Sequence, residues 1–92
     1  MQSENDIYQK LKERLKENHT WPSVFMFKFI VPDKPKKLAE VKALFGEEAI
    51  VSFHGSSKGK YVSITIKEVM LNENEVIEKY KKASKIEHLI AL

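Results

Sequence analysis

The spacing of apolar residues along this chain changes period several times, and each change marks an element. Over residues 4–17 the period is helical. Ile7, Leu11 and Leu15 recur every fourth residue, with Tyr8 beside them, on an otherwise charged segment. Ser3, with Asp6 three residues on, stands in a capping-box-like position. So narrow a stripe predicts a helix that needs a partner surface, since a short isolated helix is marginal in water. Over residues 24–31 the period is two. Phe25, Phe27, Phe29 and Val31 share one face, while Val24, Met26, Lys28 and Ile30 share the other. A strand apolar on both faces is expected in the centre of a sheet, covered at least in part on both sides. In the connector between them, Pro22 biases Trp21 toward an extended backbone. Trp21 is expected to pack beneath it and pin the first helix to the body.

The remaining elements follow from the same patterns. Asp33 is placed to cap a second helix, with Pro35 in its first turn. Leu38, Val41, Leu44 and Phe45 would form its buried stripe and Gly46 its end. A strand is predicted over 49–54, with Val51 and Phe53 on one face, then a turn over 55–59. A third strand over 60–67 puts Val62, Ile64 and Ile66 on one face and Tyr61, Ser63 and Thr65 on the other. Asn72 and Glu75 make a capping-box pattern before a helix with Val76, Ile77, Tyr80 and Ala83 on one side. Residues 86–92 are apolar enough for a closing strand, interrupted by Glu87 and His88.

The order is one helix followed by βαββαβ. The predicted fold is therefore α+β: a ferredoxin-like two-layer sandwich with a four-stranded antiparallel sheet and an extra N-terminal helix. That arrangement centres the first and third strands, the two most apolar. One domain is expected over 1–92, with 1–18 the N-terminal helix and 24–92 the βαββαβ core.

Composition narrows the partners. The chain has no cysteine, which removes disulfides, thiolate metal sites and a cysteine nucleophile, and fits a reducing compartment. No apolar run approaches the ~20 residues of a membrane span, and residues 1–5 lack an apolar signal region. A cytoplasmic protein with no membrane partner is expected. The net charge of +3 is a mild excess, so nucleic acid is not the expected partner.

Several segments read together resemble a known family. They are Trp21-Pro22 leading into Phe25-Met26-Phe27-Lys28-Phe29-Ile30-Val31-Pro32, then Ser57-Lys58-Gly59-Lys60-Tyr61, Val76-Ile77-Glu78-Lys79-Tyr80 and the C-terminal Leu89-Ile90-Ala91-Leu92. In this order they are similar to the YbeD-like family of small bacterial proteins of unknown function. The resemblance implies a bacterial cytoplasmic protein with a ferredoxin-like, ACT-like fold, and brings no established activity. ACT domains often carry Asp-x-Pro-Gly-x-Leu after the first strand. Here Asp33, Pro35 and Leu38 match, and Lys36 stands at the glycine position. Lysine adds bulk where glycine allows a ligand to approach the backbone.

The candidate chemistry is sparse. Residues 55–60, GSSKGK, resemble a phosphate loop, but three residues separate the glycines where four are needed, and a strand follows instead of a helix. After Lys58-Gly59 only Tyr61 is aromatic, so the stacking residues of an RNA-recognition strand are missing. His19, His54 and His88 are too scattered for a metal motif. No serine has a nucleophile signature, and Glu47-Glu48 is a lone acidic pair. No enzyme, no metal and no cofactor are expected. The leading expectation is a non-catalytic regulatory or protein-interaction module. Its face would be Val24, Met26, Ile30 and Tyr61, used by a protein partner or by a homodimer through the sheet face or edge, unless it is covered from within the chain, for which the N-terminal helix is the candidate. The alternative is an ACT-like sensor of an amino acid or anion near Asp33, Lys34 and Lys36. RNA binding ranks third.

Overall fold

The structure is a computed structural model that describes residues 4–56 and 58–92. Ser3, the expected first cap, and Ser57, in the expected turn, lie outside them. The elements run α1 (Glu4–Asn18), β1 (Ser23–Pro32), α2 (Pro35–Lys42), β2 (Ile50–Gly55), β3 (Tyr61–Met70), α3 (Glu73–Ala83) and β4 (Ile90–Ala91). The strands form one antiparallel sheet in the order β2-β3-β1-β4, so β1 and β3 occupy the centre. This is the ferredoxin-like α+β sandwich that the periodicity predicts, behind an N-terminal helix.

Alternation along β1 and β3 builds the core. The register sets Phe27 opposite Ile66, Phe29 opposite Ile64 and Val31 opposite Val62. All six are buried. Val41 of α2, and Val76, Ile77 and Ala83 of α3, close over them from the helix layer. Phe45 and Tyr80 add aromatic contacts, with ring centroids 5.1 and 5.4 Å from that of Phe27. Fully burying side chains of this size contributes roughly 1.5–3 kcal/mol each.

The helix starts and ends differ from the sequence reading in instructive ways. Asn72 caps α3, its Oδ1 accepting the Glu75 N–H at 3.1 Å. The return bond from Glu75 goes one residue further out than a standard box, to the Leu71 N–H at 2.9 Å. Asp33 does not cap α2. The N-cap is Lys34, extended at φ −135° and ψ 137°, with no side-chain cap bond. Pro35 sets this, because the residue before proline is driven out of the helical region and proline suits the first helical position. Nor does α2 reach Gly46. It stops at Lys42, and Leu44 and Phe45 pack on the core from the following turn. The predicted closing strand shrinks to Ile90–Ala91, because the chain turns at 86–88 with His88 at a left-handed φ of 68°. β3 runs three residues further than expected, through Met70.

α1 lies on the helix layer. It packs along α3, with Leu15 in the core, Tyr8 and Leu11 against it, and the Lys81 ammonium 5.5 Å from the Tyr8 ring centroid. Trp21 packs against the same core, as the connector suggested, with its ring stacked on His19 at 5.3 Å. The expectation that this helix is the cover for the far face of the sheet is therefore overturned: its stripe is already used on α3, and Ile7, at the far end of the stripe, is exposed. The molecule measures 38 × 36 × 21 Å. A 21 Å thickness accommodates one helix layer and one sheet layer, each about 10 Å deep.

Candidate functional site

The face of the sheet turned away from the helices is the main unpartnered surface. β1 contributes Val24, Met26, Lys28 and Ile30 to it. The register carries the same face across the sheet: Met26 pairs with Lys67, Lys28 with Thr65 and Ile30 with Ser63 on β3. On β2, Ile50, Ser52 and His54 pair with Lys67, Thr65 and Ser63. On β4, Ile90 pairs with Ile30. The sequence reading expected both faces of β1 to be covered at least in part. On this side Val24 and Met26 are 64% and 56% exposed. The reason is topological: both crossover helices and α1 sit on the other layer.

All four residues expected to form an interaction face do share it. Val24, Met26 and Ile30 alternate along β1, and Tyr61 stands opposite Pro32 at the end of the same row. Ile50, Val69 and Ile90 extend the patch and were missed. For Val69 the signal was present: the alternation of residues 60–67 continues through Glu68, Val69 and Met70, with Val69 in the phase of Tyr61 and Ser63.

Two shallow depressions mark the ends of the face. One, of about 420 Å³, is lined almost wholly by apolar surface from Ile30, His54, Tyr61, Val62 and Ile90, and by the start of the β2–β3 turn. The other, of about 460 Å³, lies among Val24, Ile50, Val69 and Lys67, with Glu47, Glu48 and Glu68 at its border. The charges around the first are of the opposite kind. The Asp33 N–H donates to the Lys60 carbonyl at 3.0 Å, joining the β1–α2 loop to the β2–β3 turn. The exposed Lys34, Lys36, Lys58 and Lys60 therefore lie on segments that meet at that end, with the exposed acids Asp33 among them and Glu87 on the turn that brings His88 and Leu89 against Pro32 and Tyr61.

The structure places the ligand-site residues outside both of these depressions. Asp33, Lys34 and Lys36 sit on the loop and first turn of α2, and line neither depression. His19 stacks on Trp21, His54 lies on the open face, and His88 is beside Glu87 in the last turn. Among the described residues no group of three or more His, Cys, Asp or Glu could hold a metal ion. No helix among them is long and apolar enough to cross a membrane.

A second cluster, on the helix side, was not legible in the sequence. Glu68 points inward from β3 and accepts the Gly46 N–H at 2.7 Å. Its other oxygen is 3.8 Å from the Lys79 ammonium of α3. Lys79 also donates to the Leu44 carbonyl and stands 5.1 Å from the Phe45 ring centroid. The group ties the α2–β2 loop, β3 and α3 together with charge-assisted bonds.

Residues 16–92 match the model of the family described as "Protein of unknown function (DUF493)". The chain belongs to that family. No curated protein and no solved structure matches it significantly. The matched span of the family begins near the end of α1 and takes in the whole sheet with α2 and α3. It includes both depressions, the lysine cluster and the Glu68–Lys79 group.

Proposed function

We propose that the protein is a non-catalytic, regulatory or interaction module that binds a protein partner through the open face of its sheet. The observation behind this is the distribution of exposed apolar residues. Ten large hydrophobic side chains are exposed among the described residues, and six of them, Val24, Met26, Ile50, Tyr61, Val69 and Ile90, lie on this one face. An apolar surface collected on one face marks a binding site more often than one scattered singly. The YbeD-like resemblance and its ACT-like regulatory fold fit this reading, as does a cytoplasmic setting. A small-ligand sensor at Asp33, Lys34 and Lys36 has less support, because these residues are exposed and border no depression described above.

The test is site-specific photocrosslinking in cells that naturally carry the protein. A photoreactive phenylalanine analogue at position 26 should yield discrete adducts with another protein. The same group at Glu78, on the exposed face of α3, should not. Equal labelling from both positions, or none from position 26, overturns the proposal.

A further inference from the structure

We infer that the Tyr61 end of the open face docks an acidic amphipathic helix of a partner protein. Its apolar side chains would enter the depression between Ile30, Tyr61 and Ile90, and its carboxylates would meet Lys28, Lys34, Lys58 and Lys60. This rests on the reading of the face as an interaction surface, and adds the partner's chemistry and its place.

The backbone of the sheet selects a helix. Between β2, β3 and β1 the N–H and C=O groups are paired in the ladder, so a strand could add only along an edge, and one laid across the face would leave its own polar groups unsatisfied. A helix satisfies those groups internally and presents one apolar stripe. Its diameter of about 10 Å fits within four strands spaced about 4.8 Å apart. The chain's own helices are on the other layer, with the stripe of α1 committed to α3.

Charge selects an acidic helix. The strand residues on this face include Lys28 and Lys67 and no carboxylate. The adjoining loops bring Lys34, Lys36, Lys58 and Lys60 there against Asp33 and Glu87, a surplus of positive charge. A second copy stacked with like ends together would set the lysines against their own counterparts, whereas one stacked with opposite ends together would bring Glu47 and Glu48 to them, so the dimer is an outcome of the test below. At the other end Glu47 and Glu48 would repel an acidic helix, which fixes it at the Tyr61 end. Single-stranded nucleic acid also meets basic surfaces, but it needs stacking rings, and the depression offers aliphatic Ile30 and Ile90 around one tyrosine and one histidine.

The experiment uses the full chain and a labelled, side-chain-stapled 18-residue helix, with leucines along one face and glutamates on the rest. Fluorescence anisotropy should show saturable binding that weakens as salt rises. Ile90→Glu, and separately the pair K58E and K60E, should each weaken it at least tenfold, with the thermal melt of each variant confirming the fold. A probe with lysines in place of the glutamates should bind at least tenfold less. Equal binding of the two probes, no binding at millimolar peptide, or insensitivity to the lysine pair overturns the inference. Tighter binding of an oligo-uridine strand, or a concentration-dependent dimer abolished by Ile90→Glu, also overturns it. If adducts form at position 26 while the acidic probe fails, the interaction reading survives and the acidic helix does not. If neither occurs, both fall.

Discussion

Replacing Glu68 with alanine is the sharpest test of how the helix layer is held on the sheet. Glu68 faces inward from a strand whose other inward residues, Val62, Ile64, Ile66 and Met70, are buried and apolar. A carboxylate is tolerated there because both oxygens are occupied: one accepts the Gly46 N–H at 2.7 Å, the other pairs with Lys79 at 3.8 Å. The two side chains are only 15% and 21% exposed, so the pair is largely shielded from solvent. A hydrogen bond to a charged group contributes about 1.5–3 kcal/mol. The alanine variant also leaves Lys79 partly buried with the Leu44 carbonyl and the Phe45 ring as its remaining partners. The expected loss is about 2–4 kcal/mol, a large part of the stability of a domain this size. At about 4–8 °C per kcal/mol, the melting temperature should fall by roughly 8–32 °C.

Urea denaturation at pH 7 measures this directly, with the slope of the transition checking that both proteins unfold in the same way. Glu68→Gln separates the two roles. Its amide oxygen can still accept from Gly46, so it should recover about half of the loss. A double-mutant cycle with Lys79→Met should give a coupling of 1 kcal/mol or more. An alanine variant within about 0.5 kcal/mol of the parent would put Glu68 among ordinary surface positions and refute the argument.

Gly46→Ala should cost about 1 kcal/mol, since the new Cβ would come within 3.2 Å of the Glu68 carboxylate, and the same change should cost much less in the Glu68→Ala background, as urea titrations of both would show. Leu15→Ala should lower stability by about 2–4 kcal/mol without promoting self-association, read by calorimetry and light scattering, because Leu15 fills the core beside α3 and does not shield the open face. Burial raises the pKa of Tyr80 above its ordinary value of 10.0. The unfolded chain therefore loses this proton first, and stability should fall as pH rises past about 10. Tyr80→Phe should flatten that decline relative to the parent in melts between pH 9 and 11.5.

What the sequence made legible was whatever depends on local period. The Phe-rich strand, the alternation of Val62, Ile64 and Ile66, and the Asn72 cap are each written within a few residues, and the structure places each as read. What it hid depends on where segments meet. Glu68 looks like any charged strand residue until β3 pairs with β1 and α3 brings Lys79 across. The end of α2 looked set by Gly46, yet the helix stops earlier and that glycine serves as a donor to Glu68. The lysines at 34 and 36 and those at 58 and 60 are separated by more than twenty residues, and they meet only because β1 pairs with β3 through Pro32 and Tyr61 and the Asp33–Lys60 bond extends that pairing.

The open face shows the same division between local and assembled information. Alternation alone says that Val24, Met26 and Ile30 share a side, and a strand apolar on both sides is ordinarily buried on both. The resolution lies in the other apolar segments. The stripes of α1, α2 and α3 are all consumed on the helix side, where Phe27 and Phe29 of β1 need cover. No described helix remains for the far side. A sheet face whose strands carry six exposed large hydrophobics, two lysines and no carboxylate is poorly matched to water. Its best complement is a surface that is apolar along one line and acidic beside it.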